Sequence, residues 1–433
     1  MRHRLQVATS TIWWPLGDKT IAHPREDEIG ASGAQENAAL AAQMRESLRH
    51  DLLDRWFPAC ISAEGGFHEN FDRTWAALPG ETRSLVFQAR MTWLAATVAA
   101  GGDTAFRRYA RHGVAALGRM VHPESGALHW ESDRFSRPCG RYARHFHAYG
   151  QAFAIFGLAA AAKVLGSQAA LAAAQRIFAY LDDYHHDQDN GGYFEVTNLA
   201  GRRVLWGSWR MKHDAIGTRF GLKSQNTHLH LLEAFTELYR IWPDARLGLR
   251  LEELLALFQN ELRQEPGRRF CFVWPDWRPV PGGGSYGHDV ELAHLLLAAA
   301  EALGRRHDPA LLARAKALVD AATDESWDEA GGLFDAQAQD RSLTAPVKTW
   351  WVQAEALASV AALHQATAEP RYLALLRAQW DWIASRQIDP LHGGWFESVA
   401  ADGRPVGSDA KGKMWKDGYH EGRALIRTAA GLG

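Results

Sequence analysis

Apolar residues recur at helical spacing through most of this chain, and glycine and polar residues gather in the intervals between. The spacing predicts helices over 37–57, 82–100, 103–120, 147–165, 168–184, 225–241, 245–262, 287–303, 309–322, 348–367, 370–386 and 415–429. Residues 1–34 mix Gly, Pro and charge without a sustained period and read as an irregular lead-in, leaving 35–433 as one unit.

The loops carry an internal repeat. AEGGFHE (63–69), DNGGYFE (189–195), EAGGLFD (329–335) and LHGGWFE (391–397) share paired glycines, an apolar or aromatic residue, another ring or apolar group, and an acid. SGALHWE (125–131) is a degraded copy, and GRRFCFVWPD (267–276) holds a sixth place. The spacing of about 60–80 residues is that of two helices with their connections, so each unit is a helical hairpin ending in a short strand-like turn. Six hairpins suggest closure into an all-α, (α/α)6 barrel with inner and outer helices and a concave end. An open solenoid is the alternative.

Length alone would suggest several domains, but the repeat argues for one. A net charge of −2 and a pI near 6.9 offer no basic field for nucleic acid or an anionic membrane. Small neutral partners fit better. Three scattered cysteines, Cys60, Cys139 and Cys271, suggest neither a disulfide framework nor a thiolate zinc site. With no apolar run of signal or membrane length, the expectation is an unexported, cytoplasmic protein. The 18 tryptophans are good surfaces for sugar rings, bases or quaternary amines.

Polar clusters that core packing does not require fall at three helix starts. In SYGHDVELAHLLLA, His288 and Glu291 are three apart and share a helix face, so the imidazole is exposed to opposing influences: the helix dipole and a carboxylate. That would poise it near neutrality, as a general base needs, although a histidine capping a core helix is the plainer reading. In KSQNTHLHLLEAFTELYR, Asn226, His230 and Glu233 share one face, and His228 points elsewhere. KMWKDGYHEGRALI places Trp415 and His420 at the start of the last helix. Arg90, in FQARMTW, is able to hold an oxyanion or to serve a structural ion pair. Tyr149, Trp350, Trp351 and Trp415 are able to stack on a sugar or simply to pack. HExxH and GxxxxGK[ST] are absent, and a three-histidine zinc site from His230, His288 and His420 stays open.

NTHLHLLEAFT, SYGHDVEL, KTWWVQAEA and YHEGRAL resemble, in order, motifs of the N-acylglucosamine 2-epimerase superfamily, most closely its cellobiose and mannose 2-epimerase branch. The resemblance runs from about residue 40 to the C-terminus. It implies an (α/α)6 barrel and cofactor-free, metal-independent rearrangement of an aldose at C2. On it, His288 and His420 are the two acid/base groups, and His230 assists ring opening or binding. Arg90 stands by the carbonyl and C2 oxygens, Asn226 and Glu291 bind substrate, and Tyr149, Trp351 and Trp415 line the site. An aldose-ketose isomerase, or a binding protein on the same barrel, is the alternative. The implied partner is a small neutral sugar, without nucleic acid or membrane, and the chain a monomer or homodimer.

Overall fold

A computed structural model describes residues 31–80, 82–263, 270–337 and 347–432, so the lead-in falls outside it up to residue 30. The first helix, α1 (Ala31–Ser47), begins earlier than the periodicity indicated. The other long helices are α2 (Leu85–Ala100), α3 (Arg107–Arg119), α4 (Ala148–Leu165), α5 (Gln168–Tyr180), α6 (Gln225–Tyr239), α7 (Ala245–Gln259), α8 (Tyr286–Ala302), α9 (Pro309–Ser326), α10 (Trp350–Thr367), α11 (Pro370–Trp382) and α12 (Tyr419–Leu432).

The even-numbered helices form the inner ring. Each packs on the next, α2 on α4, α6, α8, α10 and α12 in turn, and α12 returns to α2. The odd-numbered helices lie outside them, with α1 closing against α12. The barrel is therefore shut, which removes the open-solenoid alternative. Inner helices are buried nearly all round and so are rich in Ala and Gly, which lets backbones approach. At Gly157 of α4, a Cβ would stand 2.5 Å from the Ala89 carbonyl oxygen of α2. Outer helices are amphipathic: α3 buries Tyr109, Ala110, Gly113, Ala116 and Leu117 and leaves its arginines outside. Helix α4 is long and apolar enough to cross a membrane, but its neighbours on every side are protein helices.

Several inner helices start later than their apolar spacing predicts, because the entry residues are strand. Thr82–Ser84 pairs with Glu131–Asp133, His145–His147 with Val196–Asn198, Lys223–Ser224 with Phe272–Val273, Gly284–Ser285 with Ala336–Gln337, and Val347–Thr349 with Ser398–Ala400. The first N–H of each such helix, an orphan in an isolated helix, goes to the partner segment: Leu85 to Trp130 O, Ala148 to Glu195 O, Gln225 to Cys271 O, Tyr286 to Asp335 O and Trp350 to Glu397 O.

The repeated loops make these joints. Both glycines of each intact copy have positive φ, from 66° at Gly393 and Gly394 to 100° at Gly65, a conformation that disfavours a side chain. The next residue is gripped by an inner helix, four positions past its cap. Gln88, Gln151 and Gln353 bond both the N–H and C=O of Phe67, Leu128 and Leu333. His228 takes that place in α6, accepting the Tyr193 N–H at 2.9 Å. In three of the four intact copies the terminal acid is a cap: Glu69 accepts the Ser84 N–H (2.5 Å), Glu195 the Ser224 N–H (2.7 Å), and Asp335 the Ser285 hydroxyl (2.7 Å) and Gly287 N–H (3.1 Å), whereas Glu397 pairs with Lys413. In the degraded copy Trp130 stands at the acid's place, and in the sixth Cys271 does; residues 267–269 of that copy lie outside the described residues.

Candidate active site

One register places the site. Ser84, His147, Ser224, Ser285 and Thr349 occupy the N-cap of α2, α4, α6, α8 and α10, and Asp417 accepts the Tyr419 N–H at 2.8 Å to begin α12. Two residues past the cap stand Tyr149, Asn226, Trp351 and Tyr419; three past it, His288 and His420. Six past it, one turn deeper, the ring reads Arg90, Phe153, His230, Glu291, Glu355 and Arg423. Closure brings that layer to one axis.

Arg90, Tyr149, Ile216, Asn226, His230, His288, Glu291, Trp350, Trp351, Trp415 and His420 line one pocket with about 630 Å³ of empty space, its open mouth included. Every residue to which the family resemblance gives a role is there. On one side, Trp351 lies against both His288 (ring centres 5.2 Å apart) and His420 (5.8 Å). On the other, His230 meets Tyr149 edge-on (5.1 Å), and Arg90 donates to the Tyr149 hydroxyl at 3.2 Å while lying 4.3 Å over Phe153. Asp417 is the ion-pair partner of Arg90 at 3.5 Å, so the cation is anchored and still borders the cavity. Trp415 is not in the last helix as the pattern suggested. It sits in the turn before it, held by the pairing of Lys413 with Lys416, and reaches Tyr149 and Trp130 (6.1 Å each).

Beneath the histidines is a buried ionic floor. Arg423 pairs with Glu233, with Glu291 at 2.5 Å and with Glu355 at 2.6 Å. Glu355 also accepts from His420 Nδ1 (2.6 Å) and His294 Nε2 (2.7 Å), and Glu233 from His230 Nδ1 (3.1 Å) and the Tyr419 hydroxyl (2.5 Å). A carboxylate only accepts, so His420 and His230 carry their protons on Nδ1 and keep Nε2 unprotonated when neutral. Burial lowers the pKa of His230, His288 and His420 below the free imidazole value, with the nearby carboxylates opposing it. For His288 the opposing carboxylates are Asp335, Asp289 and Glu355, which corrects the expectation that Glu291 would be its partner. Glu291 is instead turned to Arg423, and burial together with the charge of Glu355 pushes its carboxyl up to about 7. Burial opposes ionisation of Glu355 as well, but Arg423, His294 and His420 hold it well below the usual carboxylate range.

This floor bears on the zinc reading. Among the described residues the donor atoms that converge are those of Glu291, Glu355 and His420, rather than the three histidines. The Arg423 guanidinium already bonds both carboxylates, and a second cation there would face direct repulsion.

Sequence reasoning missed Glu355, Arg423, His294, Asp417 and Ile216. The first four sit at fixed offsets from the inner-helix caps, a signal visible only once the repeats are aligned on those caps. Ile216 comes from the loop between α5 and α6, away from any helix start.

Neutral imidazoles beside indole walls, with an anchored arginine opposite, suit proton transfer on a polyol, and the chain is an enzyme of that class, a carbohydrate epimerase or isomerase. It belongs to the N-acylglucosamine 2-epimerase (GlcNAc 2-epimerase) family, whose model matches residues 65–424. It is 29% identical over 398 residues to a cellobiose 2-epimerase of Bacteroides fragilis, covering 89% of this chain and 98% of the relative. A D-mannose isomerase of Marinomonas mediterranea is 25% identical over 386 residues, covering 84% and 91%. The structure of cellobiose 2-epimerase from Spirochaeta thermophila superposes with a TM-score of 0.81 at 26% identity, covering 92% of this chain and 98% of that one.

Proposed function

We propose that this chain is a sugar 2-epimerase interconverting C2 epimers of an aldose, D-mannose and D-glucose or the reducing-end glucose of a cellobiose-type disaccharide. The observation that carries this reading is the pair of imidazoles, His288 and His420, set on separate helices against one indole, Trp351, with burial lowering both pKa values. The sugar stacks on Trp351 and Trp415. Glu291, partly protonated near neutrality, donates to a sugar oxygen as the ring opens, with His230 assisting.

In the open chain the C1 carbonyl acidifies the C2 proton. One histidine removes it, the electron pair moves into a C1–C2 double bond, and Arg90 and Tyr149 stabilise the enediolate oxygens. The other histidine enters the step carrying a proton on the nitrogen that faces the sugar and gives it to C2 from the opposite face, which forms the epimer and leaves the first histidine protonated and the second neutral. No redox partner is needed. Protonation at C1 instead would yield a ketose, and the similarity to D-mannose isomerases alongside cellobiose 2-epimerases favours keeping aldose-ketose isomerisation as the second reading.

Incubation with mannose, glucose, fructose, cellobiose and N-acetylglucosamine in D₂O, followed by NMR, separates the two. A C2 epimer carrying solvent deuterium at C2 is the expected product. A ketose as the main product overturns the epimerase reading.

A further inference from the structure

Below the pocket, on the side away from its mouth, lies a histidine that the proton transfer itself does not require. His294 of α8 is buried with its Nε2 2.7 Å from Glu355 Oε2 and its Nδ1 3.2 Å from Arg427 Nη1. A guanidinium only donates, so His294 Nδ1 is the acceptor and Nε2 carries the proton given to Glu355. The other Glu355 oxygen accepts from His420 Nδ1. An ordered line therefore runs Arg427 to His294 to Glu355 and meets His420 from the far side.

We infer that His294 is a positioning residue that sets the basicity of His420 through the carboxylate they share, with Arg427 fixing its tautomer. This rests on the proposed role of His420 as a base. The physical argument is competition for one acceptor. A hydrogen bond to a carboxylate from His294 disperses charge that would otherwise stabilise the protonated form of His420, so the donor keeps His420 neutral and available. A protonated His294 would add a positive charge beside Arg427 and Arg423, and burial together with these cations lowers its pKa to about 4 despite Glu355. The charged and titratable groups around this line are Glu291 and His288 on its own helix, Arg90 from α2, Glu233, Glu237 and Arg240 from α6, and Asp417, Arg423 and Arg427 at and in α12. None of them donates to Glu355 Oε2 in place of His294 among the described residues.

The test compares His294→Leu, which removes the donor, with His294→Gln, whose amide reaches the place of Nε2. Loss of a charged hydrogen bond of about 1.4 kcal/mol corresponds to a shift of about one pH unit. In the Leu variant the acid limb of kcat/KM should move up by about that unit. On the acid side of that limb kcat should fall by up to about tenfold, while KM stays within about twofold; Gln should restore both the limb and the rate. A folded Leu variant with the wild-type acid limb, or Leu and Gln variants that behave alike, would overturn the inference. Imidazole ¹⁵N NMR of the wild-type enzyme tests it without any variant: His294 should be neutral with its proton on Nε2 from pH 5 to 8, and a proton on Nδ1 or a charged ring there overturns it. The same spectra report the pKa of His420 without turnover. If His420→Asn proves fully active while His420 still responds to His294→Leu, the functional reading falls and the coupling stands.

Discussion

His288 and His420 occupy the same position of their helices, three residues past the cap, and both lie against Trp351, yet they are held in opposite ways. His420 is tied through Nδ1 to Glu355, which is itself fixed by Arg423 and His294. The Nδ1 of His288 is buried with no hydrogen-bond partner among the described residues, and its backbone N–H is bound to Ser285 Oγ at 3.0 Å. One ring has its tautomer and orientation dictated. The other keeps its tautomer free and is held by packing. A fixed base gains in alignment, and a free one adapts to a sugar whose C2 configuration differs between the two directions of reaction.

The sharpest way to break this comparison is to remove each imidazole. His288→Asn and His420→Asn should each lower net epimerisation about 10²- to 10⁴-fold. Each variant should still exchange with D₂O the C2 proton of the one epimer whose base it retains. NMR of both sugars checks it: near wild-type turnover removes that histidine from the mechanism, and symmetric exchange of both epimers by one variant replaces two bases with one.

The anchors should differ next. Glu355→Gln removes the charge that orients His420 and leaves Arg423 short of a partner, so kcat should fall about 10²-fold and stability by about 3 kcal/mol. Asp335→Asn, on the His288 side, removes only a field, because Asp335 bonds the cap of α8 and not the ring. It should cost less than about tenfold in kcat. Equal losses in rate and in urea midpoint would erase the asymmetry.

Smaller again is the pH effect. Both histidines have pKa values lowered by burial, and whichever one takes the C2 proton must be unprotonated to do so, so activity is lost as pH falls through its lowered value. The acid limb of kcat/KM should therefore lie below the ordinary imidazole value of 6.5. A limb at or above that value would mean that the carboxylates outweigh burial at one of the rings.

The two histidines were legible in the sequence, while the difference between them was not. Glycine pairs, aromatic rings and acids recur at short range, and so the hairpin count and the face carrying Asn226 and His230 follow from local spacing, while closure is an inference from the count that leaves an open solenoid as the alternative. Glu355 lies a full repeat before His420 and Arg423, and it meets them only because α10 packs beside α12. Helix starts failed for a related reason: Thr82–Ser84 and Lys348–Thr349 have sequences that continue the helical period, but the strands they pair with, Glu131–Asp133 and Ser398–Ala400, are about fifty residues away.

The smallest expected effect belongs to His228, two residues before His230 on the same helix and outside the pocket. Its Nδ1 lies 2.7 Å from the Ser224 carbonyl oxygen and its Nε2 accepts the Tyr193 N–H, so it is a neutral histidine whose two nitrogens are both used by the backbone. Burial lowers its pKa, which suits a group that never needs to charge. It stands where Gln88, Gln151 and Gln353 stand in α2, α4 and α10, each of which likewise accepts the N–H of a loop residue. His228→Gln should therefore stay within about 1 kcal/mol of wild type, and His228→Ala should lose about 1–3 kcal/mol by leaving the Tyr193 N–H buried without an acceptor. His228→Asn, with a shorter amide, should fall between them. All three should keep kcat within about threefold, since the contact fixes a loop joint and touches neither base. Urea denaturation gives the stability order, and epimerisation at saturating sugar gives kcat. A loss of turnover in His228→Gln as large as that in His420→Asn would show that the joint behind α6 governs the chemistry, and the division between a fixed and a free base would then have to be sought in the loop rather than in the two rings.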